Sequence, residues 1–354
     1  MGTQLVLALD QIGRERSNLV GGKCANLGEL LRIGAPIPEG FAITGAAYER
    51  FLEESRIGDQ IKEALIGIEE AHELDNLERA SAVVHGLFSQ AILSEDLRNA
   101  ILGGYLALGR KCGAESVAVA VRSSGLAEDG NDSSFAGQFD SFLNVKGEQQ
   151  LLEKTLQCWA SQFTVRAMMY RKKRGLDLGG GPMGIAVIKM VEARTAGVGF
   201  SADPVTGDRS RIVLEGSWGL GEAIVQGLVS PDRYVFDKDR LVLIEKTVSD
   251  KDMMICYAEQ GIQQEPVPDA RRRIACLTTA EATRLAELAR LIEDRYGRPQ
   301  DFEWVIDSHL PFPENVFVVQ TRPVTVSGVR SEREKAEYLA DLMIHMFRQY
   351  RGTR

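Results

Sequence analysis

The sequence predicts an α/β (α+β) protein with a mostly helical first part and a strand-rich second part. Three observations carry this. Apolar residues recur at helical spacing through 23–35, 46–110 and 149–174. A break at Gly179-Gly180-Gly181-Pro182 follows, and glycine and proline are the strongest local punctuation. Beyond it come short runs of strand character at 184–191, 196–200, 211–215, 233–237 and 241–246.

In chain order, 23–35 places Leu27, Leu30 and Leu31 on one helical face and stops at Gly34, with Pro36 and Pro38 beyond. The run Val117 to Val121 is short, apolar and bounded by polar turns, which predicts a buried strand. The helix at 149–174 has a basic end, Arg171 to Arg174. The segment 259–270, with Gly261, Pro266 and Pro268, reads as a loop. A helix at 278–296 carries Ala282, Leu285, Ala286, Leu288, Ala289 and Ile292. Strands at 302–307 and 316–321 flank Leu310-Pro311-Phe312-Pro313 as a hairpin. In 330–351, Leu339, Leu342, Met343, Met346, Phe347 and Tyr350 form one apolar helical stripe. That stripe either packs on its own domain or docks a partner. The expected units are 1–182, 183–327 and 328–354.

The length of 354 residues suggests two or three domains. A formal net charge of -8 argues against nonspecific nucleic-acid binding, which needs a basic field. The five cysteines are scattered and form no CxxC pair, against a disulfide framework or zinc site. No secretory leader and no run of roughly 18 apolar residues is present, so a cytoplasmic, non-membrane protein is expected.

Several segments suit phosphate chemistry. Gly21-Gly22-Lys23 opens the first helix, where backbone N–H groups and a lysine favour an anion. It is not a P-loop, because the required earlier glycine is Ser17. A plain turn with a surface lysine is the alternative. Arg122-Ser123-Ser124 follows the predicted buried strand, and Arg122 could clamp phosphate oxygens through two donors. The small-residue stretch Ser133-Ser134-Phe135-Ala136-Gly137-Gln138 could close over phosphates, or be an ordinary polar loop. Gly197-Val198-Gly199 with Ala202 fits a dinucleotide fingerprint only formally, because Pro204 falls where its helix should begin. Gly219-Leu220-Gly221-Glu222 is a turn that either touches nucleotide or serves packing.

Asp301 and Glu303 share one strand face by alternation. With Gln320 on the neighbouring strand they offer the oxygen ligands Mg2+ prefers, and Arg322 could stabilise phosphate charge. Solvent-facing strand carboxylates are the alternative. His72, His85, His309 and His345 all lack the exposed Gly/Thr-rich turn that suits a phosphorylated imidazole.

Taken together, these segments resemble the nucleotide-binding half of phosphoenolpyruvate synthase and pyruvate phosphate dikinase over about residues 5–327. The resemblance rests on GGKCANLGELLRIGAPIPEGFAIT, VAVRSSGLAEDGNDSSFAGQFDSFLNV, GVGFSADPVTG, GSWGLGEAIVQGLVSPDRY, DFEWVID and VFVVQTRP, in that order. It implies an ATP-grasp-like fold of two subdomains with ATP between them. It implies Lys23, Arg122 and Arg322 as catalytic phosphate-binding cations. It assigns the lid to the loop through Ser134, Ala136, Gly137 and Gln138. Met190 and Val191 would meet adenine, Glu222 would contact nucleotide, and Asp301, Glu303 and Gln320 would lie near the metal, with Glu303 and Gln320 holding Mg2+.

Such enzymes use ATP to load a histidine on a swivelling domain, releasing AMP and phosphate. No such histidine segment or acceptor barrel is found here, so the resemblance implies a histidine-bearing partner subunit. The size and extent resemble the ATP-domain subunit of phenylphosphate synthase, which sets phenol as the leading expected acceptor. The alternatives are a phosphoenolpyruvate synthase-like or rifampin phosphotransferase-like subunit, and a non-catalytic ATP sensor. A self-contained ligase forming an acyl phosphate ranks last.

Overall fold

The computed structural model describes residues 4–66, 74–126 and 139–324. The expected lid residues Ser134, Ala136, Gly137 and Gln138, and the C-terminal stripe in 328–354, lie outside the described residues.

Two antiparallel sheets organise the chain. The first has the order β1-β2-β5-β3-β4, from β1 (Val6–Ala8), β2 (Gly40–Ile43), β3 (Val119–Gly125), β4 (Ser141–Val145) and β5 (Met183–Lys189). Its helices are α1 (Ser17–Arg32), α2 (Gly45–Ser55), α3 (Gly58–Leu65), α4 (Leu74–Gln90), α5 (Glu95–Cys112), α6 (Glu148–Ala160) and α7 (Val165–Lys173). The second sheet has the order β13-β12-β6-β7-β8-β9. Its strands are β6 (Ala193–Phe200), β7 (Arg211–Trp218), β8 (Asp232–Asp237), β9 (Val242–Thr247), β12 (Gln300–Asp307) and β13 (Val316–Pro323). A separate hairpin, β10 (Met253–Tyr257) with β11 (Ile262–Pro266), the helices α8 (Glu222–Val225), α9 (Asp269–Arg272) and α10 (Thr279–Tyr296), and short 3-10 turns at Leu9–Gln11, Arg14–Arg16 and Ser161–Phe163 complete the described fold.

The best-specified element is α10. Thr278 and Glu281 form a reciprocal capping box at its start, and Gly297 ends it at φ 66°. Its buried stripe is the one read from the sequence, Ala282 through Ile292. It packs on Phe302, Trp304 and Ile306 of β12 in one continuous core. The glycines of β6 serve this packing. A Cβ on Gly197 would lie 2.5 Å from Trp304, so the fingerprint-like GVG is a flat seat for an aromatic ring.

Helices α2 to α7 cover one face of the first sheet around Phe51, Phe88, Trp159 and Phe163. Helix α1 lies on the other face. Val20, Cys24, Leu27 and Leu30 of α1 share a core with Ala186 and Ile188 of β5 and with the second sheet. Thus α1 is wedged between the two sheets.

Four expectations change. The strand predicted at 117–121 runs to Gly125, so Arg122 is inside β3 and not beyond its end. The helix predicted at 149–174 breaks at Thr164, whose extended backbone (φ -63°, ψ 147°) caps α7. The predicted loop 259–270 contains β11, and Gly261 (φ 71°) supplies the tight turn of a hairpin. Strand β5, after the glycine break, inserts between β2 and β3, so the second sheet starts only at β6.

Candidate nucleotide site

The site grows from three elements that meet at α1. Helical geometry fails at Gly21 (φ 77°, ψ 166°), so the regular turns begin at Gly22 and Lys23 sits in the first of them. Strand β3 presents Arg122 toward the same region. Strand β13 contributes Gln320. Lys23, Arg122 and Gln320 line one small cleft, floored by Leu27, Ile188 and Val319. Asn26, one turn beyond Lys23, donates to the Thr321 carbonyl at 3.3 Å and accepts from the Tyr296 hydroxyl at 2.9 Å. These bonds tie α1 to β13 and to α10.

The polar face of β12 and β13 depends on a bulge. Asp301 pairs with Arg322 and Glu303 with Gln320, but Trp304 pairs with Val318. Val319 is therefore the extra residue. Strict alternation from buried Val318 would turn Gln320 into the core. The bulge instead leaves Val319 and Gln320 together in the cleft and buries Thr321. Arg322 and Gln320 thereby share the face of Asp301 and Glu303.

Two ion pairs mark that face. Arg122 donates to Glu303 at 3.0 Å, with the two side chains 19% and 25% exposed. Arg322 donates to Asp301 at 2.7 Å. Burial raises the Asp301 carboxyl to about 6, Arg322 pulls it down in part, and the Glu303 charge adds to the rise.

The remaining sequence-predicted residues form a second group. Met190 packs against Leu220, Ala223 and Ile255, which brings the end of β5 to α8 and the hairpin. The Val191 carbonyl accepts the Tyr257 hydroxyl. Glu222, at the start of α8, accepts from Gln226 at 2.9 Å. Lys23, Arg122 and Gln320 line one cleft, Glu303 adjoins it through Arg122 and Gln320, Asp301 and Arg322 lie one pair along the same face, and Met190, Val191 and Glu222 lie around the hairpin.

The donor set suits Mg2+. Glu303 and Gln320 face each other in register with oxygen ligands. Among the described residues no group of three His, Cys, Asp or Glu side chains could hold a metal unaided. Mg2+ does not need one, because phosphates and waters usually complete a sphere begun by one or two carboxylates.

Residues 17–341 match the description "Pyruvate phosphate dikinase, AMP/ATP-binding domain". The chain belongs to this family. Its antiparallel two-sheet architecture accords with an ATP-grasp-like nucleotide-binding domain. The chain is 40% identical over 362 residues to a Staphylothermus marinus protein named "Probable phosphoenolpyruvate synthase", covering 96% of this chain and 43% of that one. It is 39% identical over 362 residues to the Aeropyrum pernix "Phosphoenolpyruvate synthase", covering 95% and 44%. It therefore spans less than half the length of these relatives. Their names favour the phosphoenolpyruvate synthase-like alternative, and the expected likeness to phenylphosphate synthase draws no support from them.

Val319 and Asn26 join the site without having been expected from the sequence. The bulge left no local signal, but Asn26 could have been found, since it lies three residues beyond Lys23 on the same side of α1.

Proposed function

We propose that this chain is the ATP-activating part of a phosphoenolpyruvate synthase-like dikinase. It binds MgATP in the cleft between the sheets and presents it to a histidine on a separate domain or subunit, with release of AMP and phosphate. The observation that carries this reading is the convergence of Lys23, Arg122 and Gln320, from three separate elements, on one cleft.

Each residue has a physical role in the proposal. Lys23 offers a point charge, and Arg122 a two-donor fork, to phosphate oxygens. Arg322 stabilises charge that develops during transfer. Glu303 and Gln320 would hold Mg2+, which supplies further neutralisation of phosphate charge. Met190 and Val191 would meet the base, and Glu222 would contact the nucleotide. Phosphoryl transfer is catalysed mostly by positioning and electrostatics, so this chain needs no nucleophile of its own.

The test mixes the purified chain with a histidine domain from a phosphoenolpyruvate synthase and ATP labelled at either the β or the γ phosphorus. The expected result is AMP together with β-label on the histidine domain. ADP as the product, or ATP binding without any transfer, would overturn the dikinase reading.

A further inference from the structure

We propose that Ser124 is a positioning residue for Lys23, a role that rests on the nucleotide reading above. Regular helix geometry begins after Gly21, which puts the Cys24 N–H in the first turn. Backbone donors there take their acceptors from outside the helix. The Ser124 hydroxyl accepts from the Cys24 N–H at 3.1 Å. This is the work of an N-cap side chain, done by a residue 100 positions away on β3. Ser124 is fully buried, so water does not compete for that bond.

The backbones are equally close. A Cβ on Gly21 would lie 2.0 Å from the Ser124 carbonyl oxygen. Gly21 is thus required by its positive φ and by this contact. Lys23 is bracketed by two residues, Gly21 and Cys24, that both touch Ser124. Arg122 stands two positions before Ser124 on the same strand, hence on the same face. Ser124 fixes the start of α1 against the strand that carries Arg122. It sets the relative placement of the two cations without touching the nucleotide.

The experiment measures ATP and adenosine dissociation constants for the full chain, as wild type, Ser124→Ala, Lys23→Ala and the double variant. Ser124→Ala is expected to weaken ATP roughly tenfold, on the scale of a lost helix cap, and adenosine less than twofold. The double variant is expected to bind ATP no more weakly than Lys23→Ala. Unchanged ATP affinity in Ser124→Ala, or losses that multiply in the double variant, would overturn the role. Should Ser124→Ala not fold, Ser124→Cys keeps nearly the same volume with a weaker acceptor and should show the same ATP-selective loss. Failure of both to fold would assign the bond to the fold and overturn the proposal. A wild-type chain that binds adenosine and ATP equally would sink the underlying nucleotide reading, whereas normal wild-type binding with an unaffected variant sinks only the role of Ser124.

Discussion

Arg122 of the first sheet and Glu303 of the second are joined by a 3.0 Å ion pair across the cleft. A triphosphate would compete with Glu303 for Arg122, and a divalent cation would compete with Arg122 for Glu303. On the proposed function, MgATP would exchange this pair for two new ones.

Glu303→Gln should release Arg122 and remove one repulsive charge. Metal-free ATP affinity is expected to rise a few-fold, the scale of a partly exposed ion pair. Mg2+-dependent transfer should fall by roughly 100-fold, as for loss of an electrostatic contributor to transfer. Calorimetry with EDTA or Mg2+, paired with the label assay, checks both.

Asp301 gives stability a pH signature. Its carboxyl is raised from 3.8 to about 6 in the folded chain. Between these values the folded state holds more protons than the unfolded one, so stability falls as pH rises through this window. Asp301→Asn should lack this loss, and urea unfolding from pH 4 to 7 should show the two curves diverging by on the order of 2 kcal/mol.

Asp232 and Lys251 are both fully buried and paired. Asp232 also accepts from the Ser249 and Cys276 backbone N–H groups, at 2.9 Å and 2.7 Å. Lys251→Met leaves a buried carboxylate without its cation and should cost about 3–5 kcal/mol. Adding Asp232→Asn removes the stranded charge but turns an amide NH2 on one of these two backbone N–H groups, so only part of that loss should return in urea titrations.

Asn144 clamps the hairpin. Its amide donates to the Ala258 and Gly261 carbonyls at 2.9 Å and 2.8 Å, from a backbone at φ 56°. Asn144→Gly keeps the backbone but loses both bonds. Faster amide hydrogen exchange should follow in β10 and β11, with little change in α10.

The sequence disclosed what local chemistry decides. The apolar stripe from Ala282 to Ile292 announces α10, and Gly21-Gly22 marks the start of the regular turns of α1. Asp301 and Glu303 share a face because alternation requires it. What remained hidden was non-local. The insertion of β5 between β2 and β3 is a pairing choice that no short window contains. The position of Gln320 depends on one extra residue against a strand partner, and nothing in Val318-Val319-Gln320 signals a bulge. Gly261, Pro266 and Pro268 suggested a loop because turn residues also bound short strands. The contact of Ser124 with Cys24 is equally non-local, its partner lying 100 residues away.

The wedged helix α1 has a consequence for how the protein is made. Its apolar residues Val20, Leu27 and Leu30 share a core with Val316 and Val318, near the far end of the described chain. On a ribosome that core stays open until Val318 has left the exit tunnel, although the helices of the first sheet have long been available. Until then the part of α1 that will meet the second sheet is an exposed greasy surface, suited to a chaperone before it has that sheet to pack on.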